Sequence, residues 1–252
     1  MRAGAQPGSL VVFPGLGDAL MPATAAPRFA AWTLRAYARA YTVWVISRRR
    51  ALPAGYTTRD MARDYAEGIA EIGPPVDVLG LSQGSLIAQH LAADYPEMVR
   101  TLVLALAGAR GSREGIERVQ RWIAWAREGA WRAVYRDAID ATFRGPARVF
   151  WRSVAPLLAG EPGTPSDFIV SAEAAIAHDA RERVPEIAAQ TLVIGGDRDA
   201  LVPAERYREL AALIPFAALC LIPGGGHGVD AQRKRLFDRT VLWFLQLRRA
   251  QW

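Results

Sequence analysis

Apolar positions along the chain fall into two kinds of run that alternate. Six short stretches are apolar at odd and even positions alike: Leu10 to Phe13, Val43 to Ile46, Val76 to Leu81, Arg100 to Leu106, Thr191 to Gly196 and Ala218 to Ile222. Such runs suit strands buried on both faces of a sheet. Between them the spacing is helical, over Pro27 to Tyr41, Thr58 to Ile72, Gln83 to about Tyr95, a segment ending near Leu213, and an amphipathic stretch from Arg235 to Arg248. Strand, helix and strand in repetition predict βαβ units, and hence a parallel sheet with right-handed crossovers. The rhythm breaks between Gly108 and Glu186. That stretch contains helical runs separated at Gly145-Pro146, Gly160 to Gly163 and Pro165-Ser166, with no convincing strand, and it is too long for a plain loop. The expected organisation is one α/β core, residues 1–107 and 187–252, with an all-helical insertion at 108–186.

Composition narrows this reading only slightly. A chain of 252 residues can bury one large core, and 51% hydrophobic with 22% charged residues is ordinary for a globular protein. The net charge of +6 is carried almost wholly by arginine, since Lys234 is the only lysine. The basic residues are scattered. The runs Arg48-Arg49-Arg50 and Arg233-Lys234-Arg235 lack interleaved aromatics, so they read as solvated surface rather than as a specific nucleic-acid site. The single cysteine, Cys220, excludes an internal disulfide and a multi-cysteine metal site. The apolar run at Leu10 to Phe13 is too short for a signal-peptide core, and no stretch reaches the ~20 apolar residues of a membrane span. A cytoplasmic protein is expected.

The strand at Val76 to Leu81 passes into the helix at Gln83 through Gly80-Leu81-Ser82-Gln83-Gly84. A serine on so sharp a strand-to-helix corner needs neighbours without side chains, and its hydroxyl then stands above the C-terminal edge of the sheet. It also needs a base, itself oriented by an acid. Of the three histidines, His90 lies two turns along the helix that Ser82 begins, where a packing or surface role is expected. His178, beside Asp179, lies in the insertion, where a solvated face is expected. His227 directly follows the last strand in a glycine-rich loop, at the same sheet edge as Ser82, and is the expected base. The acid should follow an intervening strand, where Asp197 and Asp199 both stand.

With these pieces the chain resembles the α/β-hydrolase superfamily over essentially its whole length. The resemblance rests on the elbow around Ser82, the acid loop Gly196 to Pro203, the histidine in Gly226-His227-Gly228, and the loop Pro14-Gly15-Leu16-Gly17. It implies that Asp199 completes a triad with Ser82 and His227, and that the backbone amides of Leu16 and Gln83 form an oxyanion hole. It also implies that residues 108–186 are a helical cap. Pro14 stands where the family often has histidine. The short N-terminus leaves no room for the family's opening antiparallel hairpin, so a mostly or wholly parallel six-stranded sheet is expected.

The expected activity is hydrolysis of a carboxylic ester or related acyl compound through an acyl-enzyme on Ser82. Carbon–carbon bond hydrolysis or acyl transfer with the same residues is the alternative, and a non-catalytic ligand receptor on the same fold lies further off. No metal or organic cofactor is called for. Trp122, Trp125, Trp131 and Trp151, half of the eight tryptophans, fall in the insertion. They are candidate walls of a pocket for a small apolar acyl substrate, each equally able to serve as packing for the insertion's helices.

Overall fold

The computed structural model describes residues 1–22, 25–158, 162 and 164–249. Of the predicted break at 160–163, only Pro162 falls within them. Seven strands form one sheet: β1 (Arg2–Ala3), β2 (Ser9–Phe13), β3 (Thr42–Val45), β4 (Val76–Leu81), β5 (Val99–Ala105), β6 (Gln190–Gly196) and β7 (Ala217–Ile222). Their spatial order is β1-β3-β2-β4-β5-β6-β7. Every neighbouring pair from β3 to β7 is parallel.

The sheet differs from the six-stranded expectation at one edge. Arg2 and Ala3 pair antiparallel with Trp44 and Val43. The Met1 ammonium donates to the Val45 carbonyl at 2.9 Å, and the Arg2 guanidinium lies 5.3 Å over the Trp44 ring. Two residues are too few to carry an alternation of polar and apolar side chains, so nothing in the hydrophobic pattern announces this strand.

The strands' period of two divides their side chains between two faces. Val11, Phe13, Val78, Leu102, Leu104 and Val193 pack on one side, against α3 (Thr58–Ile72), α4 (Gln83–Asp94) and α9 (Ala204–Leu213). Leu10, Val12, Val43, Leu79, Val103 and Ile194 face the other side, where α11 (Lys234–Arg249) supplies Phe237, Val241, Phe244 and Leu245. After α1 (Pro27–Thr33), which buries no residue, the short helix α2 (Arg35–Ala38) adds Tyr37 to that layer. Burying each large side chain contributes about 1.5–3 kcal/mol, so the two layers hold the sheet firmly from both faces. The α3 boundary follows from chemistry at Thr57. Its hydroxyl accepts from the Asp60 amide while the Asp60 carboxylate accepts from the Thr57 amide, a reciprocal cap on the first turn.

Between β5 and β6 lie α5 (Arg113–Arg127), α6 (Trp131–Thr142), α7 (Gly145–Leu158) and α8 (Pro165–Ala177). Trp122, Ile123, Trp131, Val134, Phe168 and Ala172 from α5, α6 and α8 form a third apolar cluster, which also takes in Ala19 from the loop after β2. With Leu16, Leu20 and Leu201 packed against it, this cluster joins these helices to the loops after β2 and β6.

Candidate active site

Ser82 occupies the corner between β4 and α4 with φ 52° and ψ −117°, a left-handed conformation costing a non-glycine residue about 1–3 kcal/mol. The surrounding residues enforce it. A Cβ on Gly80 would fall 2.6 Å from the Ser85 Cα, and one on Gly84 would overlap the Phe13 carbonyl. Ser85 Oγ sits within 2.8 Å of the Gly80 carbonyl and 2.6 Å of the Ala105 carbonyl, tying the start of α4 to β4 and β5. The strain is thus held by close backbone packing.

His227 follows β7 and Asp199 follows β6, so the two loops stand side by side beyond the same sheet edge as Ser82. Ser82 Oγ lies 3.0 Å from His227 Nε2, and His227 Nδ1 lies 2.8 Å from Asp199 Oδ2. Asp199 also accepts from the Leu201 and Val202 amides at Oδ1 and from the Tyr207 hydroxyl at Oδ2. Burial pushes its carboxyl up, but the charge and hydrogen bond of His227, with the Tyr207 and Val202 bonds, outweigh burial and hold it below the ordinary value. For His227 burial favours the neutral ring, yet the adjacent Asp199 and the nearby Asp230 leave the imidazole above its ordinary value. Asp197 takes another course. It is exposed, and its Oδ1 accepts from the Gly224 amide at 2.6 Å, bracing the loop that carries His227.

The expected oxyanion residues both border the space over Ser82. Leu16 opens a short 3₁₀ turn, Leu16–Ala19, and Gln83 is the first residue of α4. The Gly15 α-carbon packs against the elbow so closely that a Cβ there would lie 3.3 Å from the Ser82 Cβ. The Gln83 side chain is buried and donates to the Ser171 carbonyl in α8, linking the elbow to the insertion.

Above this group lies a cavity of about 370 Å³ whose wall includes Leu20, Leu106, Trp122, Val134, Phe168 and Ile176. Ser82 and His227 form part of its floor. Two charged residues also border it. Arg110 pairs with Glu209 at 3.3 Å, and Asp230 lies one turn past His227 in α10 (Val229–Gln232), its carboxyl raised by burial. Of the four tryptophans proposed as walls, Trp122 borders the cavity, while its Nε1 donates to Asp137. Trp131 packs edge-on against Phe168 and Trp151 stacks on Phe143, so these rings hold helices together. Trp125 joins the same apolar cluster as Trp131.

Two expectations about side chains are corrected. His178 is buried, because Thr58 and Gln89 reach it from α3 and α4, so it faces the core rather than solvent. His90 packs beside it with ring centroids 5.1 Å apart, in the packing role expected. Arg48 is likewise buried, because the carbonyls of Pro14, Gly15 and Leu16 and the Asp18 carboxylate surround its guanidinium. The sequence reading also passed over Tyr207 and Asp230. Tyr207 stands eight residues after Asp199 on the helix that follows the acid loop, and that spacing was the only signal available. Among the described residues, no cluster of three or more His, Cys, Asp or Glu side chains is placed to hold a metal ion.

The sequence model of the alpha/beta hydrolase family matches residues 10–239, and the chain belongs to that family. It is 30% identical over 218 residues to the "Putative carbamate hydrolase RutD" of Variovorax paradoxus, covering 77% of this chain and 75% of that one. It is 35% identical over 169 residues to the pimeloyl-[acyl-carrier protein] methyl ester esterase of Xanthomonas axonopodis pv. citri, over 63% and 66% of the two chains. In architecture it is similar to the crystal structure of an enol-lactonase from Burkholderia xenovorans. The TM-score is 0.80 at 22% identity, over 98% of this chain and 95% of that one. The protein is an enzyme of the alpha/beta hydrolase family.

Proposed function

We propose that the protein is a serine hydrolase that cleaves a carboxylic ester or related acyl compound through an acyl-enzyme on Ser82. The observation that carries this reading is the continuous path Ser82 Oγ, His227 Nε2, His227 Nδ1, Asp199 Oδ2, with steps of 3.0 and 2.8 Å at the floor of an apolar cavity. Ser82 Oγ attacks the substrate carbonyl carbon while its proton passes to His227 Nε2. The carbonyl electron pair moves to oxygen, where the Leu16 and Gln83 amides stabilise the charge. As the intermediate collapses, the bond to the leaving oxygen breaks and that oxygen takes the proton from His227. Water then attacks the acyl-enzyme by the same path, giving the carboxylic acid and free Ser82. Asp199 keeps the imidazole in the tautomer whose Nε2 can accept, and stabilises the imidazolium.

The insertion at 108–186 acts as a cap whose α5, α6 and α8 roof the site. The cavity's size and apolar wall favour uncharged acyl groups of short to medium length. The esterase relative supports an ester as substrate. A serine-directed phosphonate probe and a panel of p-nitrophenyl esters of graded chain length test the reading. Labelling at Ser82, turnover greatest for short to medium chains, and loss of both in a folded Ser82→Ala protein are expected. Full esterase activity in Ser82→Ala would sink the mechanism, and activity confined to charged acyl groups would sink the substrate class.

A further inference from the structure

Arg48 lies just after β3, yet its guanidinium is buried beneath a loop more than thirty residues earlier in the chain. Its Nη2 donates to the Gly15 carbonyl at 2.7 Å and to the Leu16 carbonyl at 3.4 Å, and its Nη1 donates to the Pro14 carbonyl at 3.3 Å. Burying a cation costs several kcal/mol unless it is paired and hydrogen-bonded, and here both terminal nitrogens are bonded while Nε has no partner. The Asp18 carboxylate stands 3.8 Å from Nη2 and is itself fixed by the Ser47 hydroxyl at 2.8 Å and the Arg48 amide at 3.3 Å. Charge, counter-charge and three consecutive carbonyls thus make one closed cluster under the loop.

The strongest of these bonds has a geometric consequence. The Gly15 carbonyl and the Leu16 N–H belong to one peptide plane, and in a trans peptide they point in opposite directions. The Gly15 oxygen accepts from the Arg48 guanidinium and, at 3.1 Å, from the Asp18 amide of the following turn, so these two donors fix the plane that carries the Leu16 N–H. Gly15 also packs directly on Ser82, so this peptide stands beside the place where a tetrahedral intermediate on Ser82 would form. The positive charge below reinforces the peptide dipole along the same line. The guanidinium reaches these carbonyls from two nitrogens held in one plane, a geometry that the single nitrogen of a lysine ammonium does not reproduce.

We propose that Arg48 is the positioning residue of the oxyanion hole, orienting the Leu16 amide through the Gly15 peptide. The proposal rests on the serine-hydrolase reading and names the element that preorganises its charge-stabilising group. Arg48 does not touch substrate. Removing it should therefore leave ground-state binding intact and weaken only what carries the oxyanion.

The test compares wild type with Arg48→Met and Arg48→Lys, the second keeping a buried cation opposite Asp18 should the first fail to fold. With a short-chain p-nitrophenyl ester, kcat should fall on the order of 10²–10³-fold in Arg48→Met, the range seen when one oxyanion donor is removed, with KM within about threefold. Arg48→Lys should fall between the two. Affinity for an alkyl boronic acid, whose tetrahedral adduct on serine mimics the intermediate, should drop in parallel with kcat. Protein labelled with ¹⁵N-leucine gives a readout independent of turnover. The Leu16 amide resonance should move in Arg48→Met before any ligand is added, while leucine amides of the sheet stay in place. If wild type hydrolyses no ester, the serine-hydrolase reading fails, and the resonance alone decides the role of Arg48. An unmoved Leu16 resonance, or folded variants that keep kcat and boronate affinity, would overturn the proposal. So would a loss confined to thermal stability.

Discussion

Asp199 Oδ2 is shared by two donors, lying 2.8 Å from His227 Nδ1 and 2.7 Å from the Tyr207 hydroxyl. With Leu201 and Val202 on the other oxygen, the carboxylate is saturated and cannot rotate without losing a bond. Asp199→Asn puts an amide where one oxygen now accepts, so the imidazole turns to the tautomer that cannot take the Ser82 proton. The expected loss in kcat is on the order of 10⁴, by analogy with the same change in a serine protease. Asp197→Ala should cost only about 1 kcal/mol of stability, since it removes one bond at an exposed site. Steady-state kinetics and urea denaturation of both variants separate the roles. A collapse of kcat in the Asp197 variant, with Asp199→Asn little affected, would mean that the acid was misassigned.

The elbow could be read from the sequence because its physical demands are local: strand, helix and two glycines must coincide within a few residues. His227 could be placed because a parallel sheet brings the ends of its strands to one edge. Choosing Asp199 over Asp197 drew on family resemblance, and the reason becomes visible only in three dimensions, where Asp199 turns inward and Asp197 turns to Gly224. Arg48 was hidden within a run of three arginines, because its burial depends on carbonyls from a distant segment. His178 was hidden in the same way, its partners Thr58 and Gln89 lying far off in sequence. The tryptophans show the opposite failure. Their number suggested a pocket, but ring positions within the insertion depend on helix crossings that periodicity does not encode.

The pH dependence of catalysis follows from the two carboxylates around His227. As the proposed base His227 must be neutral, and Asp199 together with Asp230 holds its imidazole above the ordinary value of 6.5. The acid limb of kcat/KM should therefore have its midpoint above 6.5, activity being lost as pH falls through it. Asp230→Asn removes one raising charge while the hydrogen bond from Nδ1 to Asp199 stays, so its midpoint should move down with kcat at the plateau largely kept. A pH–rate profile of the two proteins checks this. An unchanged midpoint would show that the Asp230 charge does not reach the ring.

Stability should depend on pH through a different histidine. Gln89 Nε2 donates to the Gly108 carbonyl at 3.0 Å, which leaves its Oε1 to accept from His178 Nε2; His178 Nδ1 is then free to accept from the Thr58 hydroxyl. The folded protein thus needs a neutral ring, and burial lowers the His178 value to about 3. Between pH 6.5 and 3 the unfolded chain takes up a proton that the folded chain refuses, so stability falls as pH falls, by up to about 1.4 kcal/mol per pH unit from this group. The neighbouring His90, also lowered by burial, adds to the same trend. Urea titrations at pH 7 and pH 5 should show wild type losing more stability than His178→Gln. Parallel losses would contradict the assignment.

Gly195 offers a way to disturb Asp199, the proposed acid, without touching the cavity. It lies in β6, and a Cβ built there would overlap the Tyr207 ring and stand 2.6 Å from the Tyr207 hydroxyl oxygen. Tyr207 is fully buried, so accommodating the methyl must displace the ring together with the hydroxyl that bonds Asp199. Gly195→Ala should therefore act through the Tyr207 bond, leaving Asp199 with one fewer donor and its hold on His227 loosened. Tyr207→Phe removes the same bond without the clash, and should lower kcat less than Gly195→Ala while costing about 1–3 kcal/mol by leaving part of the buried carboxylate unsatisfied. The two substitutions share one partner, so they should not add. In the double variant Gly195→Ala, Tyr207→Phe the hydrogen bond is lost only once, and kcat should fall by less than the product of the single effects. Kinetics of all four proteins measure that coupling. Multiplicative losses would show that Gly195 is required for the sheet alone, with no connection to the carboxylate that orients His227.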